Sequence, residues 1–289
     1  LTSIGSIKLN VLLSEAFSIV IQIRDLKENS TVEKLEQFIL SASQFEEFEE
    51  LDDYPLTKTQ EGIFVECMSH PNETIYNIPL LLKLGGHLDV EKLKNSIVSA
   101  VKAHRYITTT LFYNADGEAR QKRPTEQFTT SEIEFISANT IKEVFRELVV
   151  PYNLEGDRLF RIKIIQAESL YLFIDMHHII SDGTSMNIFL DDISKAYQGE
   201  TIIEESYSGF EVALQEQKNR KSDVLQKAKA YYENLLSGFD TDFLPKSDLY
   251  KTSQLSSGSL VSHSSKELVT NVRRFAEEQK VSVNGLLCA

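Results

Sequence analysis

Residues 170–193, LYLFIDMHHIISDGTSMNIFLDDI, restrict the possible folds more than any other stretch of this chain. An apolar run of strand length comes first. The stretch ends in a pattern that, continued to residue 197, puts Met186, Phe189, Leu190, Ile193 and Tyr197 on one helix face. A strand that turns tightly into an amphipathic helix needs a sheet with that helix packed on it. The turn, HHIISDG, lies at the end of a strand and feeds a helix N-terminus, where α/β proteins place active groups. Backbone N–H groups of Gly183 and Thr184 there would favour developing negative charge. Gly183 would let a substrate come close to the backbone. A histidine exchanges a proton near neutral pH. Asp182 can orient a ring or hold the loop by an ion pair. On pattern alone, a satisfied structural histidine beside an ordinary turn is the commoner arrangement. Adjacent histidines are also possible zinc ligands, but no third ligand stands at helical or CxxC spacing.

The surrounding chain alternates strands and helices. NIPLLLKLGG reads as a strand, and LDVEKLKNSIVSAVKAH as a helix with Leu93, Ile97 and Val101 on one face. TTTLFYNADGEARQK reads as a hairpin turned at ADG. TIKEVFRELVV reads as a helix with Ile141, Val144, Phe145 and Leu148 inward. LFRIKIIQAESLYLFIDM reads as two strands, and DVLQKAKAYYENLLSG as a helix ending at Gly238. LPKSDLYKTSQLSSGS is a loop, and the end of the chain starts another helix. Together these elements suggest an α/β (α+β) layered domain. No internal repeat or low-complexity tract interrupts it.

Ahead of this domain, residues 1–41 read as short helices: SIGSIKLNVLLSEAF, then STVEKLEQFIL with Ser30 and Glu33 as a capping box. Forty such residues are too few for a stable core of their own. They form a docked extension or the remainder of a truncated domain. ASQFEEFEELDD, with six carboxylates, reads as a solvated linker over residues 42–53.

The length of 289 residues fits two domains. A net charge of -13 repels phosphate backbones and anionic lipid, so neither a nucleic-acid nor a membrane partner is expected. No apolar run is long enough to span a bilayer, and no basic n-region with an apolar h-region marks a signal peptide. Cys67 and Cys288 make no disulfide framework, which suggests a reducing, cytoplasmic setting.

His177, His178, Asp182 and Gly183 match HHxxxDG, and the chain from about Tyr54 onward resembles the condensation domains of nonribosomal peptide synthetases. YPLTKTQEGIF resembles the opening motif of that family. AHRYITTTLF falls where the family has a motif beginning Arg-His-Glu. YNLEGDRLFRIKII and YYENLLSGFDTDFLPKSD resemble the strands before the histidines and the bridge into a second lobe. The resemblance implies two chloramphenicol-acetyltransferase-like lobes with the active site between them. It implies an upstream carrier bringing an acyl or peptidyl thioester, and a downstream carrier bringing an aminoacyl amine. An adenylation domain of the same assembly line is a further implied partner. In this reading His178 is central. It acts as a base toward the attacking ammonium, or it positions the amine and stabilises the charged intermediate. These roles differ in whether His178 must start neutral. Gly183 N–H faces the developing oxyanion, while His177 and Asp182 are architectural. The family's second arginine, the partner of that aspartate, is replaced by Thr108, and the family's glutamate by Arg105. Arg105 or Arg161 is expected to pair with Asp182 instead; otherwise Asp182 is a costly, partly buried, unpaired charge.

LTSIGSIKL resembles the second helix of a peptidyl carrier protein, starting at its modification serine, and IQIRDLKENSTVEKLEQFI resembles the rest of that helix bundle. The resemblance implies a partial, all-α carrier domain over residues 1–41 with 4'-phosphopantetheine on Ser3. The condensation region, residues 54–289, is then expected to stop just inside its second lobe, with little activity as a fragment and a fraying apolar end, VNGLLCA. Two other functions share parts of the pattern. One is epimerisation by proton transfer at Cα. The other is carrier docking without chemistry. The opening motif favours condensation, and an intact His178 disfavours docking alone.

Overall fold

The computed structural model describes residues 3–17, 19, 21–41, 48–85, 87–220, 222–239 and 261–288. The first helices, α1 (Ser3–Phe17), α2 (Ile23–Glu28) and α3 (Val32–Ser41), share a small core of Ile19, Ile21 and Leu26 with Leu9, Leu13, Leu35 and Phe38. The cap of α3 differs from the expected Ser30–Glu33 box. The helix begins one residue later, so the Thr31 hydroxyl accepts from the Lys34 N–H at 3.3 Å. The first half of the linker, residues 42–47, lies outside the described residues. Its end is not simply solvated, since Glu50 pairs with Arg123 at 2.7 Å and Asp53 with Arg120 at 2.6 Å.

The next elements are β1 (Tyr54–Pro55), α4 (Lys58–Ser69), β2 (Asn77–Lys83), α5 (Val90–Ala103), β3 (Thr110–Tyr113), β4 (Ala119–Lys122), β5 (Glu134–Ser137), α6 (Ile141–Val144), β6 (Phe160–Gln166), β7 (Leu170–His177), α7 (Gly183–Gln198), α8 (Gly209–Arg220) and α9 (Asp223–Leu235). Strands β3 and β4 form the expected hairpin; Gly117, at φ +79°, supplies the left-handed turn residue. With β1 they make a small sheet in the order β1-β4-β3.

The main sheet runs β2-β7-β6-β5. Its pairings are antiparallel except for β5, which lies parallel to β6. Strand β7 is central and buried from Tyr171 to His177, which is why its sequence is apolar throughout rather than alternating. Helices α5 and α7 cover one face. Leu93, Ile97, Ala100 and Val101 meet Met186, Phe189 and Ile193 over Ile162, Ile164, Leu172 and Ile174. Burying each large aliphatic side chain contributes about 1.5–3 kcal/mol. Leu148, Ile165, Tyr171 and Phe173 form the opposite cluster. A third cluster lies beneath the histidine turn: Leu56, Phe64, Leu111, Tyr152, Leu154, Leu159, Ile179 and Ile180.

The segment TIKEVFRELVV is not one helix. After α6 it tightens into a 3-10 turn at Phe145–Glu147; Leu148 is buried but Phe145 is 57% exposed. Pro151 forces the residue before it into extended backbone, and the β-branched Val149 and Val150 add to the bias against helix. The loop expected at residues 244–259 lies outside the described residues. Residues Leu1–Ser237 form one compact unit and Gly238–Ala289 another. The second contains α10 (Lys266–Glu278) and α11 (Val283–Cys288). Among the described residues, no helix is long and apolar enough to cross a membrane.

Candidate active site

The two histidines leave β7 in opposite directions. His177 is 3% exposed, whereas His178 stands in solvent. Their backbones are pinned from both sides of the strand. His177 N–H donates to the Leu159 carbonyl and His178 N–H to the Tyr76 carbonyl, both at 2.8 Å. The His177 ring turns back under the loop, where its Nδ1 accepts the Ile179 N–H at 3.2 Å. The ring proton is therefore on Nε2, which faces Cys67 Sγ at 3.6 Å. Burial, together with the neighbouring His178 and Arg161 charges, pushes the His177 pKa down to about 4. Burial, and then Glu66, pushes the Cys67 thiol up to about 11. His177 is thus neutral, and Cys67 is a thiol, across the physiological range. The His178 side chain has no hydrogen bond among the described residues and is free to meet a ligand.

Asp182 is the N-cap of α7. Its Oδ1 accepts both the N–H and the hydroxyl of Ser185, each at 2.7 Å. Partial burial raises its pKa, but the bonds from Ser185 and Thr184 and the charge of His178 outweigh this and hold the carboxyl below its usual range. Neither expected arginine pairs with it. Arg105 is exposed at the start of a 3-10 turn closed by the Thr108 hydroxyl, which donates to the Arg105 carbonyl at 2.8 Å. Arg161 donates to the carbonyls of Val150 (2.6 Å) and Pro151 (2.8 Å) and lies 3.6 Å from the Tyr152 ring centroid. Nor is Asp182 a buried, unpaired charge: it is exposed, and backbone donors satisfy it. Gly183 opens α7, exposed, and a methyl group there would meet nothing within 4 Å.

Behind the turn is a buried polar layer. Asp175, fully buried, accepts from Asn77 Nδ2 at 2.7 Å, with Arg161 at 3.5 Å, and the Tyr152 hydroxyl donates to its carbonyl. Burial raises the Asp175 pKa despite these partners. On the far side, Gln60 of α4 donates through Nε2 to the Tyr106 hydroxyl (2.7 Å) and the Ile179 carbonyl (3.0 Å). Tyr106 donates in turn to Gln121, and Gln121 to the Pro55 carbonyl, each at 2.8 Å. His104 ties α5 to α7 through Asp192, at 2.7 Å. Gln60 and His104 lie inside the stretches YPLTKTQEGIF and AHRYITTTLF, the signal that could have found them. Among the described residues, no group of three or more His, Cys, Asp and Glu could hold a metal ion. Ser3 is the first residue of α1, away in sequence from all of these.

An exposed imidazole on a pinned turn, beside a helix N-terminus, can take or hold a proton next to a developing anion. The comparisons with known proteins name the fold that carries it. The model of the condensation domain matches residues 50–289. The chain belongs to the condensation-domain family. This condensation domain is 30% identical over 246 residues to surfactin synthase subunit 1 of Bacillus subtilis (strain 168), covering 82% of this chain and 7% of that protein. It is 29% identical over 285 residues to gramicidin S synthase 2 of Aneurinibacillus migulanus, covering 94% and 6%. The fold is similar to the starter condensation domain of rhizomide synthetase RzmA, with a TM-score of 0.58, 17% identity, and coverage of 65% of this chain and 49% of that one. The first condensation domain of the CDA synthetase matches with a TM-score of 0.54 at 17% identity, over 64% and 51%. The chain therefore spans about half the length of these solved domains and a small fraction of the curated relatives.

Proposed function

We propose that residues 54–289 belong to a nonribosomal peptide synthetase condensation domain that forms an amide between a carrier-bound acyl or peptidyl thioester and a carrier-bound aminoacyl amine. One observation carries this reading: His178 projects into solvent, its side chain without a hydrogen bond among the described residues, from a turn whose other groups are locked, while its neighbour is buried and neutral. In the proposed reaction the amine nitrogen attacks the thioester carbonyl carbon. The C–N bond forms, the C–S bond breaks, and the nitrogen's proton passes by way of His178 to the departing thiolate. The N–H of Gly183, at the start of α7, faces the carbonyl oxygen as it gains charge. His177 and Asp182 hold the turn.

Residues 1–41 are read as part of a peptidyl carrier, joined through residues 42–53, with Ser3 as the attachment point of 4'-phosphopantetheine. The position fits the group: Ser3 opens a helix of 15 residues, whose N-terminal dipole favours a phosphodiester. When attached, the group supplies the thiol that carries the acyl chain. Upstream and downstream carriers and an adenylation domain of the same assembly line are the implied partners, and the cytoplasm the implied compartment.

The test uses the full-length module, with its carrier loaded with a donor and a downstream carrier loaded with an amino acid. Intact-protein mass spectrometry follows the acyl group with and without His178→Ala. Transfer that the variant loses is expected. Transfer unchanged in the variant overturns the role of His178, and deuterium exchange at the donor Cα without transfer indicates epimerisation. No mass gain at Ser3 after phosphopantetheinyl transferase treatment overturns the carrier assignment.

A further inference from the structure

Three consecutive peptide planes around His178 are held by hydrogen bonds. The plane joining His177 to His178 is held at both ends: its N–H goes to the Tyr76 carbonyl, and its C=O accepts the Ile180 N–H at 3.1 Å. In the next plane, the Ile179 N–H goes to His177 Nδ1. In the third, the Ile179 carbonyl accepts from Gln60 Nε2, 119 residues away in sequence. Ile179 is 3% exposed and Gln60 8%, so water cannot stand in for this donor. The donors run in one direction. One Gln60 N–H goes to Ile179 and the other to Tyr106, whose hydroxyl goes to Gln121, with Gln121 Oε1 also 3.4 Å from Gln60 Nε2. The Gln60 oxygen is occupied by the Thr57 N–H, at the cap of α4.

We infer that Gln60 is a positioning residue for His178: its side-chain amide fixes the Ile179 carbonyl and thereby the direction in which the His178 ring points. The inference rests on the proposed function of His178. Removing the donor leaves a buried carbonyl without a partner, which the turn relieves by rotating the peptide between Ile179 and Ile180, one residue past His178, and with it the backbone that carries the ring. A displaced ring of unchanged chemistry lowers turnover more than it changes carrier binding.

Gln60→Glu tests this in the full-length module. It keeps the oxygen that caps α4 and exchanges the Nε2 donor for oxygen. The expected result is a loss of at least about tenfold in turnover, with KM for the downstream carrier within about twofold. In a His178→Ala background the same change costs less than about twofold, because the group it positions is absent. Tyr106→Phe removes a bond from the same network but leaves the one to Ile179, and stays within about threefold. The inference is overturned by wild-type turnover in Gln60→Glu, by an equal loss in the His178→Ala background, or by an equal loss in Tyr106→Phe. It is also overturned if Gln60→Glu and Gln60→Met both fail to fold, since Gln60 is then purely structural. Should His178→Ala itself transfer at the wild-type rate, the proposed function fails instead. The 13C–1H signal of the His178 ring still reads the positioning in that case: a shift on Gln60→Glu supports it, and an unmoved signal overturns it.

Discussion

Gly209 offers a sharp test of the packing under the histidine turn. It opens α8, and a Cβ built there would come within 2.6 Å of both Cε atoms of Tyr106 and closer still to Cζ. The ring has no free direction of retreat. Its hydroxyl is held by Gln60 and Gln121, and Phe210 lies edge-on at 4.9 Å. Gly209→Ala must therefore overpack the site, at about 1–3 kcal/mol. Displacing Tyr106 also breaks its two hydrogen bonds, at about 1 kcal/mol each. The sum, about 3–5 kcal/mol, corresponds to a fall in Tm of roughly 6–20 °C for a unit of this size. Thermal melts followed by circular dichroism measure it, in the wild-type and in a Tyr106→Ala background. The cost should nearly vanish in the second, because the obstructing ring is gone. A melting temperature within about 2 °C of wild type, or the same loss in both backgrounds, would refute the reasoning.

Three further outcomes follow from the site. Asp182→Ala should cost about 1 kcal/mol in chemical denaturation and Asp182→Asn only a few tenths, because asparagine still caps α7; equal losses would show that the charge matters more than the cap. Gly183→Ala should leave Tm unchanged yet reduce acyl transfer, since the added methyl is clear of the protein and obstructs only what approaches from outside. Full transfer in that variant would dismiss a close approach at Gly183. Burial lowers the pKa of His104, but its bonds to Glu205 and Asp192 outweigh this and raise it. A raised folded-state pKa means stabilisation that is complete below the ordinary histidine value of about 6.5 and lost as pH rises through the folded value. Melts from about pH 5 to pH 9 should show this loss in wild type and not in His104→Gln; parallel profiles would exclude it.

Much of the main sheet is legible because its signals are local. Strand β7 and helix α7 announce themselves by a change from a continuous apolar run to helical spacing, with the polar turn between them. The β3–β4 hairpin is read from ADG. What escapes is held by distant partners. Gln60 in TKTQ looks like half of a capping box, and it is one; nothing in its surroundings shows that its other end reaches Ile179. Arg161 looks available to Asp182, but two nearer carbonyls and the Tyr152 ring take its guanidinium first. The sequence EFIS, only four residues long, carries no sign that it pairs parallel to β6. Helix α8 has buried residues only at Phe210 and Ala213, too few for its periodicity to stand out.

Everything that keeps the histidine turn in shape is supplied by groups other than the His178 side chain: backbone amides, the His177 ring, Gln60 and Asp182. Among the described residues, no hydrogen bond of the scaffold therefore depends on the side chain of residue 178. Under the proposed function, natural variation at that position is filtered by chemistry, and a descendant that lost the imidazole would keep the hydrogen bonds of its parent's turn. Its silence would be invisible to any assay of expression, solubility or melting, and only a measurement of bond formation would expose it.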